Sequence, residues 1–329
     1  MKLIVYDMLD FEAEQLAKMQ QESQDEIILH KEHLTPETLP LAEGCEGVSI
    51  LSYSKVDRDL LGRLKAMGVQ YLSTRTIGYD HIDIAAAQEI GVHVFNAFYQ
   101  PNNVADFTVM MILLLLRKAK ISICRALVND FSLDGLQGRE MRSLTIGVIG
   151  TGKIGAQVIR NLSGFGCRIL AYSHRREPSL EKLVTYVDLD ELYAQSDVIT
   201  LHIPLNEKNY HMINSESIRK MKKGVLLINT ARGQLIDTEA LIHALEEKTV
   251  GGAGIDTLEE ETGVMHVHVG TAIMDDKRSL MYLKQFPNVI YTQHYAFYTK
   301  EATESMTRCG ITSIQSCARG QRSNCEITK

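Results

Sequence analysis

The run Thr145-Ile-Gly-Val-Ile-Gly-Thr-Gly-Lys-Ile-Gly155 constrains this chain more than any other. Strand-like residues Thr145 to Ile149 break into Gly150-x-Gly152-x-x-Gly155, and Ala156 to Leu162 continues at a helical period. In a strand, loop and helix unit each glycine has its own reason. The first permits the tight turn, the second lets backbone approach a pyrophosphate, and the third lets the helix pack closely on the sheet. The N–H groups at the helix start then face an anion. Arg168-Ile-Leu-Ala-Tyr172 supplies the next strand, so the run reads as a phosphate cradle within a repeating α/β pattern.

The rest of the chain alternates in the same way. From Thr145 onward, strand-like runs fall at 145–149, 168–172, 198–201, 225–229, 252–255 and 289–292, with helical patterns such as Asp237 to Glu247 between them. Ahead of it come Lys2 to Tyr6, Glu26 to His30, Gly47 to Leu51, Gln70 to Ser73 and Val92 to Phe95, with helices near Asp10 to Glu22 and Asp57 to Met67. Strands separated by helices predict parallel sheets. A chain of 329 residues, 45% of them hydrophobic, exceeds what one core usually serves and suffices for two. The expected fold class is α/β, with two Rossmann-like or flavodoxin-like parallel-sheet domains and a cleft between them. One long helix is predicted from Asn102 to Arg125; its apolar stretch Phe107 to Leu116 is too short to span a membrane.

The formal charge of -6, with Lys and Arg scattered, gives no footprint for nucleic acid or an anionic membrane, and the expectation is a small-molecule partner. The six cysteines form no C-x-x-C pair, and most sit in apolar or helical patterns that suit reduced, buried thiols in a cytoplasmic protein. Met1 to Asp7 is read as a first strand rather than a targeting signal. The run Gly263 to Ser279 is irregular, and its His266 and His268 are read as solvated loop residues, so no metal is expected.

In open parallel sheets, ligands bind beyond the carboxyl ends of the strands. Four such ends carry polar groups here: His202, Arg232, Asp256 and His294. The forked cation of Arg232, flanked by small residues, suits a planar carboxylate and can polarise a neighbouring carbonyl. His294 has a reference pKa suited to passing a proton to or from an alcohol oxygen. A carboxylate beside it would favour the imidazolium, but spacing alone does not choose among Glu259, Glu260 and Glu261.

Taken together, Gly150-Thr-Gly-Lys-Ile-Gly155, His202-Ile-Pro204, Asn229-Thr-Ala-Arg-Gly-Gln-Leu-Ile-Asp237, Gly254-Ile-Asp256 with Glu261 beyond it, and His294-Tyr-Ala-Phe-Tyr-Thr299 resemble the D-specific 2-hydroxyacid dehydrogenase family. Arg75-Thr-Ile-Gly-Tyr-Asp-His-Ile-Asp83 and Tyr99-Gln-Pro-Asn-Asn-Val-Ala-Asp106 extend the resemblance over nearly the whole chain. Gly164-Phe-Gly-Cys and Ala171-Tyr-Ser173 are similar to its D-lactate dehydrogenase branch, the vancomycin-resistance D-lactate dehydrogenases in particular.

The resemblance implies Arg232, Glu261 and His294 as the catalytic set, with Glu261 chosen by the family pattern. It implies substrate contacts at the backbone of Ile77 and Gly78 and at Tyr99 and Tyr298. The cofactor residues it implies are Val104, Gly150, Gly152, Lys153, Ile154, Gly155, His202, Ile203, Pro204, Thr230, Ala231 and Asp256, the last at the nicotinamide amide, and the chain's own residues after the second strand add Ser173, His174, Arg175 and Arg176. A substrate (catalytic) domain of residues 1–100 and 298–329, a dinucleotide-binding Rossmann domain of residues 101–297, and a homodimer follow as expectations. So does reduction of a 2-oxo acid to a D-2-hydroxy acid, pyruvate to D-lactate first, with larger branched or aromatic 2-oxo acids as the alternative. Dinucleotide-sensing corepressors that resemble this fold are a distant second class, and phosphoglycerate dehydrogenases fit less well.

Two features are the chain's own. Ser173 occupies the strand end where an acidic residue ordinarily meets the ribose 2′-hydroxyl, and His174, Arg175 and Arg176 follow at once, which favours NADPH with NADH as the other candidate. Gln293 stands where a proline commonly precedes the histidine, and Tyr295 where smaller residues are usual, with a narrower pocket as the expected consequence.

Overall fold

Short apolar strands separated by helices pair through crossovers, and among the described residues every pairing between two strands is parallel, an isolated antiparallel bridge joining Phe95 to Glu326. The computed structural model describes residues 1–328 except Glu260, Thr262, Val267, Val269 and 271–276. The chain divides into two compact units, Met1–Gln100 with Tyr298–Lys329, and Pro101–Phe297.

In the first unit, β1 (Lys2–Val5), β2 (Glu26–Leu29), β3 (Gly47–Ile50), β4 (Tyr71–Thr74) and β5 (His93–Phe95) lie in the order β2-β1-β3-β4-β5. This is the flavodoxin-like doubly wound arrangement. Three helices, α1 (Ala13–Glu22), α2 (Arg58–Ala66) and α3 (Ile84–Ile90), alternate with the strands. Helix α3 is absent from the sequence reading. Its alanine-rich stretch offers little periodic apolar signal, and it is fixed by its ends: Asp83 caps Ala86 N at 2.9 Å and Gly91 closes it at φ +76°.

The second unit begins with α4 (Asn102–Leu116) and α5 (Ala119–Ala126), where one continuous helix was expected. Lys118 breaks it by adopting a left-handed φ of +51°, and its Nζ donates to Gly135 O at 2.7 Å. Most of the inward side of α4 is buried, whereas α5 buries none of its residues.

There follow β6 (Thr145–Ile149), α6 (Lys153–Ser163), β7 (Arg168–Tyr172), β8 (Thr185–Tyr186), α7 (Leu189–Gln195), β9 (Val198–Leu201), α8 (Ser215–Arg219), β10 (Val225–Asn229), α9 (Thr238–Glu246), β11 (Val250–Ile255), α10 (Arg278–Leu283) and β12 (Val289–Tyr291). Their order, β12-β11-β10-β9-β6-β7-β8, is the dinucleotide-binding one with a further strand at one edge. The two-residue β8 is too short to show a period, and β11 starts earlier than its apolar pattern suggests because Val250 pairs with Val225 across a register shift.

Helix α11 (Lys300–Ala318) returns to the first unit, where Ile311 packs among Leu3, Val5, Leu16 and Ile27. Beyond it, Ile327 N donates to Val94 O at 2.8 Å and Asn96 N to Cys325 O at 3.0 Å, so the C-terminal segment runs along β5. The expectation that most thiols are buried is corrected: Cys45 alone is buried, Cys124 is exposed and the other four are half-buried, all six being reduced. Helix faces rather than sheet positions carry Cys309 and Cys317, which is why an apolar neighbourhood in sequence did not translate into burial.

One ion pair crosses the core of the first unit. The fully buried Arg75, just past β4, donates from Nε to Glu12 Oε1 at 2.7 Å, from Nη2 to Tyr6 O at 3.0 Å and from Nη1 to Ser49 Oγ at 3.2 Å. Thr307 Oγ1 of α11 donates to the same carboxylate at 3.2 Å. A pair of this kind contributes little net stability but cannot lose one member cheaply. Glu12→Ala should therefore cost the first unit about 3–5 kcal/mol in denaturant unfolding; a loss below about 1 kcal/mol would show that the guanidinium finds other partners.

Candidate active site

Parallel pairing sends the carboxyl ends of β6, β9, β10, β11 and β12 to one edge of the second sheet. At the β6 end, Gly150 turns at φ +98°, and a side chain there would strike the His202 carbonyl and Ile203. A Cβ on Gly155 would strike the carbonyl of Gly150, whereas Gly152 looks onto open space. The three glycines thus serve the turn, the approach of a ligand and the helix contact. Gly152 is the N-cap of α6, and having no side chain it supplies no capping hydrogen bond to the helix start. An uncapped helix start over a side-chain-free turn fits a dinucleotide pyrophosphate.

His202, Ile203 and the loop at Arg175 lie against this turn, and the other cofactor candidates stand at neighbouring exits. His202 N donates to Ile149 O at 2.8 Å, its Nε2 lies 2.9 Å from Thr200 Oγ1, and burial pushes its imidazole down to about 3, so it is neutral at physiological pH. Pro204 is exposed beyond it. Ser173 follows β7, and Thr151 Oγ1 donates to Arg175 O at 3.3 Å, tying that loop to the glycine turn. His174, Arg175 and Arg176 are exposed, with the Arg176 guanidinium 5.4 Å from the centre of the Tyr186 ring. On the other side, Thr108 Oγ1 donates to Val104 O at 2.8 Å and lies 3.1 Å from Thr230 Oγ1, which joins the start of α4 to the β10 exit.

The catalytic candidates stand on three neighbouring exits. After β10, the buried Asn229 folds the chain back: its Oδ1 accepts from Ala231 N at 3.1 Å and its Nδ2 donates to Arg232 O at 2.9 Å. Gly233 comes next, and any side chain there would collide with the backbone of Leu258 and Glu259 beyond β11. That close approach brings the loop carrying Glu261 beside Arg232. Glu261 Oε2 accepts from Leu258 N at 3.2 Å, and its Oε1 is 2.9 Å from His294 Nδ1. Of the three consecutive glutamates, Glu259 turns to His211 Nε2 at 2.6 Å and to Thr238 N at 3.1 Å, while Glu260 lies outside the described residues.

His294 itself sits at φ +52°, a left-handed conformation that costs a non-glycine residue energy and persists only when its surroundings impose it. They do so through Asp256, which is buried at the β11 end. Its Oδ1 accepts from Thr292 Oγ1 at 2.6 Å and Tyr295 N at 3.0 Å, and its Oδ2 from Ala296 N at 3.0 Å. Burial pulls the imidazole toward its neutral form, but the Glu261 hydrogen bond and charge, with Asp256 behind it, outweigh that and the opposing Arg232 charge, leaving the pKa raised. Arg232 is therefore within electrostatic reach of the ring. The Tyr295 ring lies edge-on to Phe107 of α4, with centres 4.9 Å apart. Asn229, Gly233 and Thr292 support the site without having been singled out in sequence; only Asn229 and Gly233 carried a signal, as neighbours of Arg232 in one motif.

In the first unit, Ile77 and Gly78 follow β4, and their carbonyls are engaged by Asn96 Nδ2 at 2.9 Å and Thr76 Oγ1 at 2.6 Å. Tyr99 is nearly buried, and the half-exposed Tyr298 packs edge-on against Phe11 at 5.0 Å.

Known proteins share this architecture. Residues 109–296 match the D-isomer specific 2-hydroxyacid dehydrogenase NAD binding domain. An aromatic 2-oxoacid reductase of Clostridium sporogenes is 42% identical over 317 residues, covering 96% of each chain. The D-lactate dehydrogenase of Escherichia coli is 36% identical over 323 residues, covering 98% of each. The crystal structure of a D-isomer specific 2-hydroxyacid dehydrogenase from Lactobacillus delbrueckii ssp. bulgaricus, in an NAD-complexed form, superposes with a TM-score of 0.88 at 31% identity, covering 99% of this chain and 100% of that one. With a glycine cradle at the switch point of its second sheet and likeness along its whole length, the chain belongs to the D-isomer-specific 2-hydroxyacid dehydrogenase family.

Proposed function

We propose that the protein reduces a 2-oxo acid to the D-2-hydroxy acid through Arg232, His294 and Glu261, and the contact between His294 Nδ1 and Glu261 at 2.9 Å carries this reading. Bound at the glycine cradle, a reduced nicotinamide dinucleotide supplies the hydride. Arg232 binds the substrate's carboxylate and draws charge onto its 2-oxo oxygen. His294, kept protonated by Glu261, gives its proton to that oxygen from the ring nitrogen not held by the carboxylate. Asp256 holds the His294 turn at the nicotinamide end. In the first unit, with the carbonyls of Ile77 and Gly78 already engaged, their N–H groups are assigned to the substrate carboxylate, and Tyr99 and Tyr298 to the substrate's side chain.

Pyruvate, giving D-lactate, is the first substrate reading. Larger aromatic 2-oxo acids are the second, favoured by the whole-length similarity to the clostridial aromatic 2-oxoacid reductase. Comparing kcat/KM for pyruvate and phenylpyruvate decides between them, and loss of turnover with every 2-oxo acid would remove the proposal. Because Glu261 raises the His294 pKa, Glu261→Gln should lower it, so that 2-oxo acid reduction falls off at a lower pH than in the parent enzyme. An unchanged pH profile would take Glu261 out of this role.

For the cofactor, we propose NADPH ahead of NADH. Ser173 brings no carboxylate to repel a 2′-phosphate, and exposed Arg175 stands two residues on. Ser173→Asp should shift the ratio of kcat/KM values toward NADH by roughly tenfold, the effect of about 1.4 kcal/mol. A parent enzyme that already prefers NADH, with a variant that gains nothing, defeats this assignment.

The oligomer proposed is a homodimer built on α4 and α5. Leu127, Val128, Phe131 and Leu133 are 80%, 73%, 77% and 83% exposed, and they follow a helix with no buried residue, an apolar patch that a second copy would cover. Light scattering should give twice 36.9 kDa, and Leu127→Glu combined with Leu133→Glu should release the monomer. A parent protein already at one subunit mass would end the proposal.

A further inference from the structure

The C-terminal segment meets α11 at two sulfurs. Cys309 Sγ and Cys325 Sγ lie 3.1 Å apart, both residues half-buried and both in the reduced, thiol form. A disulfide needs about 2.05 Å, so the gap to be closed is about 1 Å, within reach of a side-chain rotation. The backbone around Cys325 is already fixed: Asn96 N donates to its carbonyl at 3.0 Å, and Ile327 N donates to Val94 O at 2.8 Å. The backbone of Cys309 is held inside a helix. The two positions are thus held together by structure that does not depend on the bond.

We propose that Cys309 and Cys325 are a redox-active pair, oxidised by a low-molecular-weight disulfide to an intramolecular disulfide that joins α11 to the C-terminal segment. The thiolate of one cysteine attacks a sulfur of the small disulfide, whose S–S bond breaks and releases one small thiol after protonation. The second cysteine, deprotonated, attacks the protein sulfur of this mixed disulfide, forming the internal S–S bond and releasing the second small thiol. The protein loses two protons and two electrons, and the small disulfide gains them. An excess of small thiol reverses both steps.

What the bond would fix is the end of β5. Asn96 lies beside both sulfur residues: its N–H is on the Cys325 carbonyl, its own carbonyl accepts from Cys309 Sγ at 3.9 Å, and its side chain holds Ile77 O at 2.9 Å. Fraying of the last residues, the ordinary fate of a chain terminus, would be suppressed. The competing state is a reduced pair that simply shares a hydrogen bond. The hydrogen bond with Cys325 and burial together push the Cys309 thiol above its ordinary range, so oxidation should be slow at neutral pH and faster at alkaline pH.

Full-length protein is incubated with glutathione disulfide, freed of it, denatured and alkylated. The reduced protein should take up alkyl groups on all six cysteines, and the oxidised protein on two fewer. Trypsin cuts after the exposed Arg319 and Arg322, which lie between the two cysteines. The peptide carrying Cys325 should stay attached to the one carrying Cys309 until reductant is added, and the oxidised protein should melt a few degrees higher. Cys309→Ser and Cys325→Ser should each abolish the linked peptide and the shift in melting. Full alkylation after oxidation, a mixed disulfide that persists at either cysteine, or a bridge mapped to another pair would overturn the proposal. None of these measurements uses turnover, so the result is independent of the proposed reaction.

Discussion

The parallel pairing of β10, β11 and β12 is the constraint on which the site depends. Three neighbouring strands that run the same way must release their chains at the same edge, and those exits carry Arg232, Asp256 and His294. An antiparallel strand in the middle would have sent one of the three to the far edge. The chain then closes the remaining gap with an absence of bulk: Gly233 lets the β10 exit run against the backbone of Leu258 and Glu259. A methyl group at that point would push the β10 exit away from the backbone that leads on to Glu261.

Within that frame, charge decides protonation. Burial and three charged groups act on the His294 ring, and they disagree. Desolvation and the Arg232 cation favour the neutral form, whereas Glu261 in direct contact and Asp256 behind it favour the imidazolium and win. At the exit of β9, the central strand, His202 has no carboxylate partner among the described residues, and burial drives it neutral. Two histidines at ends of strands in one sheet are therefore set to opposite states by whether a carboxylate faces them.

The first unit shows the same economy of means in its interior. Arg75 follows β4 and draws the carbonyl after β1, the Ser49 hydroxyl of β3 and Glu12 onto one guanidinium, with α11 joining through Thr307. Two residues later the chain reaches Ile77 and Gly78, whose carbonyls are held by Asn96 and Thr76. Asn96 in turn is bonded to the C-terminal segment, which thereby supports the loop at Ile77 and Gly78.

The sequence by itself determined the two sheets, nearly all of their strands and the glycine cradle, because strand period, helix period and glycine placement are local properties of a chain. It also determined that Arg232 and His294 stand at strand ends. It did not show α3, β8 or the break at Lys118: the first is set by caps, the second is too short for a period, and the third is a single backbone angle. Which glutamate faces His294 was left open by spacing, since three consecutive acidic residues are locally alike, and was chosen only through the family pattern. The tertiary structure supplies the physical reason, drawing Glu259 to His211 and the start of α9 and leaving Glu261 on the imidazole. The same holds for Asp256 and for the meeting of Cys309 with Cys325. Each is a contact across different elements, and sequence distance carries no information about which side chains two separately formed elements will bring within bonding range.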